Sequence, residues 1–174
     1  MTVPKRSSPL LRALLVAVLV FALDRLSKVW IVEILDLRGR LFVPVLDPWL
    51  NFTMAWNRGI NFGLLDLGAG AGRWLLVAVA IAIVTALAVW VRRTRGWVPA
   101  LGVGAIIGGA LGNVWDRLQY GAVADFINMS CCGIRNPFAF NLADAAIFGG
   151  ALALILFPRT PPDATRRDAP GGLR

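Results

Sequence analysis

The sequence predicts an all-α polytopic membrane protein: four transmembrane helices, both termini cytoplasmic, and a small extracytoplasmic β-sheet. Three observations carry this. Of the 174 residues, 57% are hydrophobic and 16% charged, against roughly 45–50% and roughly 25% in soluble domains. Four apolar stretches, about 10–32, 74–91, 97–115 and 138–157, each approach or exceed the roughly 20 residues that cross a bilayer. The formal net charge of +8 also lies entirely on one side of them. Lys5, Arg6 and Arg12 precede the first stretch, and Arg92, Arg93 and Arg95 fill the connection from the second to the third. In the tail Arg159, Arg166, Arg167 and Arg174 outweigh Asp163 and Asp168, whereas the charges of the opposite face cancel. Cytoplasmic loops carry such an excess, so the basic balance reports topology and calls for no nucleic acid.

The first stretch begins like a signal peptide, but Asp24, Arg25 and Lys28 follow it without a small-residue cleavage site, so it reads as a retained span. The loop 33–73 is then external, as is 116–137. Within the first of these, 50–56 alternates, Asn57-Arg58-Gly59 supplies turn residues, and 60–65 is apolar. That pattern predicts a hairpin or small sheet on the membrane surface. Gly68, Gly70 and Gly72 read as a flexible lead into the second span. Gly104, Gly108 and Gly112, with Gly109 beside them, form a small-residue ridge that lets helices approach closely in lipid, within one chain or between chains. Residues 1–157 make a single membrane-embedded domain. The Pro-rich, charged tail 158–174 is expected to be disordered.

The composition narrows the chemistry. There is no histidine, which excludes Ser-His-Asp and Cys-His catalysis and imidazole-ligated metals. Cys131 and Cys132 are too few for a structural zinc site and have no histidine base; they can stay free or form a vicinal disulfide. Ser27 and Lys28 are adjacent on a helix and do not face each other; Ser130 with Lys28 stays geometrically open. Carboxylates remain. With a rise of about 1.5 Å per residue, Asp24, Asn113 and Asp144 lie about 20–24 Å above the inner ends of three different spans, in the outer third of the bilayer. Ionisable groups at that depth face a bundle interior or a wet cavity. Each also has a plainer reading. Asp24 and Lys28 can form an i,i+4 ion pair, Asn141 and Asp144 have N-cap and N3 spacing, and Asp116 and Arg117 can be interface anchors. Asp125, inside the apolar run Ala122-Val123-Ala124-Asp125-Phe126-Ile127, is the hardest to explain that way, because an unpaired carboxylate there is costly.

These residues fall into motifs. Gly108-Gly109-Ala110-Leu111-Gly112-Asn113-Val114-Trp115-Asp116-Arg117, Val123-Ala124-Asp125-Phe126 and Phe140-Asn141-Leu142-Ala143-Asp144 resemble the motifs of bacterial lipoprotein signal peptidase, signal peptidase II. Asp24-Arg25-Leu26-Ser27-Lys28 and Asn57-Arg58-Gly59-Ile60-Asn61-Phe62 resemble its two earlier boxes. Arg25 stands where the family usually has glutamine, and Ile60-Asn61 where it has small residues. The resemblance implies a four-helix aspartic endopeptidase of the bacterial inner membrane, its sheet cradling the substrate. It would cut prolipoproteins just before a diacylglyceryl-modified cysteine, near the extracytoplasmic face, and be inhibited by globomycin. Asp125 and Asp144 are then the catalytic pair, sharing a proton, with Asp144 in the first turn of its helix favoured as the ionised base. Asp24, Lys28, Asn57, Gly59, Asn113, Asp116, Arg117 and Asn141 would bind substrate or support the site. No metal or cofactor is called for; the partners are the lipidated substrate and membrane lipids, and the chain is taken as a monomer. A proton-coupled transporter using Asp24 and Asp144, a thiol–disulfide enzyme on Cys131 and Cys132, and a membrane-assembly protein are the rival readings.

Overall fold

The structure, a computed structural model, describes residues 8–59, 68–94, 96–133 and 136–157. Helix α1 (Pro9–Lys28) starts where the Ser8 hydroxyl accepts the Leu11 N–H at 3.2 Å, with Pro9 in the first turn where no N–H is needed. It continues as a π-helical segment, Val29–Ile34, and a four-residue helix α2 (Leu37–Arg40). Strands β1 (Phe42–Leu46) and β2 (Leu50–Asn57) precede α3 (Gly68–Val91), α4 (Trp97–Tyr120), β3 (Val123–Met129) and α5 (Leu142–Leu156).

Several boundaries differ from expectation. Helix α3 begins six residues before 74, so Gly68, Gly70 and Gly72 lie in its first turns instead of a flexible lead. Helix α4 runs five residues beyond 115, to Tyr120. It closes at Gly121, whose φ of +77° suits a residue without Cβ. The last helix starts at Leu142 and not at 138, because Phe140 pairs with Ile127 as an extended bridge and Asn141 caps the helix. The expected small sheet is present. Strand β2 pairs antiparallel with β1 on one side and β3 on the other, in the order β1-β2-β3. The proposed partner 60–65 and the tail 158–174 lie outside the described residues. Strand β3 was hard to see because Val123, Ala124 and Phe126 are all buried, which erases the alternation of a half-exposed strand.

Helix α4 is the spine. A Cβ on Gly104 would meet the Ala13 carbonyl at 2.5 Å, and one on Gly108 the Ala17 carbonyl at 2.5 Å. One on Gly102 would meet the Gly150 carbonyl at 2.9 Å, and one on Gly109 would overlap the Ala143 carbonyl. The glycines therefore serve two faces, with 104 and 108 against α1 and 102 and 109 against α5, and the ridge is used within the chain. These contacts run in the same sequence direction for α1 and in opposite directions for α5. Arg12 stacks over the Trp97 ring at 4.1 Å, joining the starts of α1 and α4. Val91, at the end of α3, shares a core cluster with Ala13 and Ala100. The four long helices thus alternate in direction.

Helices α3 and α4 are long and apolar enough to cross a membrane. Only 6% of the apolar window of α3 is buried within the protein, against 61% for α4. A helix that presents so much apolar surface is solvated by lipid. At the other end Ile31, Val32 and Leu37 pack beneath Ala124 and Phe126, with Val43, Phe52 and Met54 around them. Burying Phe126 contributes about 1.5–3 kcal/mol and fixes β3, with Asp125 on it, over the bundle.

Candidate active site

Two carboxylates meet where β3 crosses the start of α5. Asp125 is on the buried strand and Asp144 is the third residue of the helix. Asn141 connects them. Its Nδ2 donates to Asp125 Oδ1 at 2.6 Å, while its Oδ1 accepts the Asp144 N–H at 2.9 Å. Its own N–H donates back to Asp144 Oδ2 at 3.3 Å, which completes a capping box. The N-cap reading is therefore correct and coexists with the bridge. Phe140 makes this possible. Its N–H donates to the Ile127 carbonyl at 3.0 Å, and its carbonyl accepts the Ile127 N–H at 2.8 Å, so the residue before the cap is tied to the strand that carries Asp125.

Asn113, on α4, donates from Nδ2 to Asp144 Oδ1 at 2.8 Å and accepts from Asn141 Nδ2 at 3.2 Å. Asn57, at the end of β2, adds a side-chain hydrogen bond to Asp125. Burial and then the Asp144 charge push the Asp125 carboxyl up to about 7, outweighing Asn57, Asn141 and Lys28, which pull it down. Asp125 thus keeps its proton to a much higher pH than a free carboxyl does. Two neighbouring carboxyl groups, one with its proton affinity raised, can divide the roles of general acid and general base.

Beside the pair lies a buried charge cluster. Lys28 Nζ is 2.9 Å from Asp24 Oδ2 and 2.6 Å from Asp116 Oδ2, and Arg25 pairs with Asp116. Asp24 and Asp116 are fully buried, so Asp116 is not an interface anchor. Two acids and two bases cancel, and each acid has a further task. Asp24 Oδ1 accepts the Ala143 N–H at 3.1 Å, taking up one of the unpaired amides at the start of α5. Asp116 Oδ2 accepts the Ala124 N–H at 3.2 Å, tying α4 to β3 beside Asp125. A Cβ on Gly112 would lie 2.5 Å from Asp24 Oδ2, so that glycine leaves room for the carboxylate. The i,i+4 pairing of Asp24 with Lys28 holds as expected. The contribution of Arg25 was missed; its position three residues before Lys28, on the same helix face, was the available signal.

Arg117 donates from Nη1 to the Asn113 carbonyl at 3.2 Å, and its guanidinium acts electrostatically on Asp144, Asp125 and Asp116. Its Nε is buried without a partner among the described residues. Gly59 acts on the site through Asn57. With φ +97° it turns the chain after β2, its N–H bonded to Asn57 Oδ1 at 3.0 Å, and a side chain there would overlap Leu76. Ile60 and Asn61 lie outside the described residues. Ser130 bonds Asn128 and Asn136 while Lys28 is held by two aspartates, so no Ser-Lys dyad forms. A cavity of about 590 Å³ beside Pro44, Asn51, Thr53 and Asn128 includes neither carboxylate of the pair. Among the described residues no group of three or more His, Cys, Asp or Glu could hold a metal ion.

Compared with known proteins, residues 16–158 match the family described as Signal peptidase (SPase) II. The chain belongs to the signal peptidase II family. Relatives include the lipoprotein signal peptidase of Methylorubrum extorquens (strain PA1), 45% identical over 152 residues that cover 86% of this chain and 87% of that one. That of Methylobacterium radiotolerans is 40% identical over 164 residues, 94% of each chain. Two solved structures described as bacterial membrane enzymes, obtained in meso at 1.9 and 2.3 Å, superpose with TM-scores of 0.70 and 0.66 at 26% identity. They cover 85% and 83% of this chain, and 94% and 85% of their own chains. As a signal peptidase II the protein is a protease, acting on peptide bonds, and a membrane protein, consistent with its lipid-facing α3.

Proposed function

We propose that this signal peptidase II is an aspartic endopeptidase working within the membrane, with Asp125 and Asp144 as its catalytic pair. Family membership supports cleavage of signal peptides from prolipoproteins. The finer reading is that the cut falls just before the diacylglyceryl-modified cysteine. The observation that carries the mechanism is the Asn141 side chain, bonded at once to Asp125 and to the first turn of α5. It brings together two acids from segments 19 residues apart, as the numbering of Asp125 and Asp144 gives.

In the reaction, Asp144 is the ionised member. It accepts hydrogen bonds from Asn113 and from the Asn141 N–H at a helix N-terminus, which favours an anion. It takes a proton from water as that water attacks the scissile carbonyl. Asp125, whose proton affinity is raised, gives its proton to the carbonyl oxygen and so limits the charge that builds there. Collapse of the tetrahedral intermediate breaks the C–N bond as Asp144 passes its proton to the leaving amine, and a hydroxyl of the intermediate returns a proton to Asp125, which restores the starting state of the pair. Arg117 braces the α4 side of the site through the Asn113 carbonyl, and the Asp24–Lys28–Asp116 cluster fixes α1, α4 and α5 around it. Asn57 and the turn at Gly59 form the sheet side, where a peptide can lie.

All four long helices cross the membrane in this reading, with both termini in the cytoplasm and the carboxylates under the outer leaflet of the inner membrane. Residues 1–157 form one domain and 158–174 a cytoplasmic tail. The acyl chains of the substrate stay in lipid, each CH₂ contributing about 0.8 kcal/mol to retention there. Globomycin is expected to inhibit. The test is cleavage of a prolipoprotein by purified protein, before and after diacylglyceryl transfer, followed by gel shift. Cleavage of the lipidated form alone supports the proposal. Equal cleavage of both forms refutes the substrate assignment, and turnover near the parent's rate by Asp125→Asn or Asp144→Asn refutes the pair.

A further inference from the structure

The turn that follows β3 carries two adjacent thiols that the mechanism does not use. Cys131 and Cys132 are both exposed and both free. Their side chains share a hydrogen bond, which raises the Cys131 thiol above the usual range. Cys132 has φ +58° and Gly133 φ +79°, so the chain reverses through two successive left-handed residues. Left-handed backbone is uncommon for any residue but glycine and sits mostly in turns.

The turn lies between Asp125 and the Asn141–Asp144 cap, and its two legs are clasped. Asn128 Nδ2 donates to the carbonyls of Asn136 and Phe138, each at 2.8 Å. Ser130 Oγ accepts the Asn136 N–H at 3.1 Å, and the Ser130 N–H donates to the Trp49 carbonyl at 3.2 Å. The leg beyond the clasp leads directly to Phe140 and the Asn141 bridge. A change of order in the turn therefore acts on the segment that joins the two carboxylates.

We propose that Cys131 and Cys132 form a dithiol site that closes into a vicinal disulfide by exchange with a protein disulfide of the extracytoplasmic compartment, stiffening this turn. The inference rests on the outward placement of 116–137 proposed above, where disulfides form and persist. One thiolate attacks a sulfur of the incoming disulfide, and a mixed disulfide forms as the first partner thiolate leaves. The other cysteine, as its thiolate, attacks the linked cysteine and expels the second partner thiolate. Two electrons pass to the partner, which ends as a dithiol carrying the two protons the cysteines release. Because the Cys131 thiol is raised, its thiolate is scarce at neutral pH, and closure quickens as pH rises.

The test uses the full-length protein in lipid nanodiscs, treated with an oxidised Cys-x-x-Cys peptide, then capped with a maleimide and weighed intact. The expected product is lighter by two hydrogens and takes up maleimide only after reduction. Cys131→Ser and Cys132→Ser each form no intrachain bond. Amides of 130–133 and 136–140 should exchange hydrogen several-fold more slowly in the closed form than in the reduced one. Uptake of two maleimides after oxidation, a disulfide-linked dimer, or unchanged exchange in the closed form overturns the proposal. None of these readouts depends on proteolysis, so failure here is separable from failure of the Asp125–Asp144 assignment.

Discussion

Replacing Asn141 by serine and, separately, by alanine separates its two jobs. Serine retains an oxygen that can cap α5; alanine does not. Neither retains the amide that bonds Asp125 at 2.6 Å. Loss of the cap costs about 1 kcal/mol, and loss of a buried hydrogen bond to an ionisable group about 1.5–3 kcal/mol. Asn141→Ala should therefore destabilise by about 3 kcal/mol and Asn141→Ser by about 2 kcal/mol. Cleavage should fall by a similar factor in both, about 10²-fold, since acid–base catalysis supplies about 10²–10⁴ and depends on the pair being held together. The pH profile gives the sharper sign. Asn141 stabilises ionised Asp125 and so lowers its proton affinity. Removing it raises Asp125 beyond about 7, and the alkaline limb of the rate moves to higher pH. The assay is a pH series of gel-shift cleavage on a diacylglyceryl-modified prolipoprotein, alongside thermal unfolding in detergent. An alkaline limb that stays put or moves down, or wild-type turnover in the serine variant, would refute the bridge.

Other perturbations test the supporting structure. Asp125 is raised from 3.8 to about 7, so the folded state binds a proton that the unfolded chain releases, and stability drops as pH rises through that window. Asp125→Asn should therefore melt higher than the parent at pH 8 while cleaving at least about 10³-fold more slowly; a lower melting temperature there would contradict the assigned proton affinity. Lys28→Met strips Asp24 of its cation and Asp116 of one of two, and should cost about 3–5 kcal/mol. Arg25→Gln leaves Lys28 on both carboxylates and should cost clearly less, a ranking that denaturant unfolding can check. Gly108→Val drives side-chain atoms into the Ala17 carbonyl and should cost about 1–3 kcal/mol or more; unchanged unfolding would mean that α1 does not pack on that face.

What the sequence revealed and what it hid divide along physical lines. Short-range features were legible: the Asp24–Lys28 pair and the Asn141–Asp144 cap are set by helical spacing alone. The glycine ridge was visible, but not its division between α1 and α5, because a four-residue spacing names a face and not a partner. The convergence of Asp24, Asn113 and Asp144 followed from counting rise along three spans, and Asn113–Asp144 and Asp24–Ala143 bonds do join them. The sheet was half legible. Strand β2 showed its alternation, but its partner 123–129 lies more than 60 residues on, a pairing that leaves no local trace, while its other partner, 42–46, stands just before it and not after it. Asp116 looked like an interface anchor because it stands at the end of an apolar run. Lys28 and Arg25 of α1 and the return of β3 over that end together bury it.

The brevity of α5 has a consequence for the surrounding lipid. Its 15 residues rise about 22 Å, roughly 8 Å short of a hydrocarbon core about 30 Å thick. In the four-span arrangement proposed above, the extended chain 138–140, its Phe140 backbone paired to Ile127, makes up only part of that difference. Lipid beside a stub of that length would thin to meet it. A peptide arriving from the headgroups would then find its cleavage point at the floor of a shallow dimple, within reach of water, while the fatty tails beside it never leave oil.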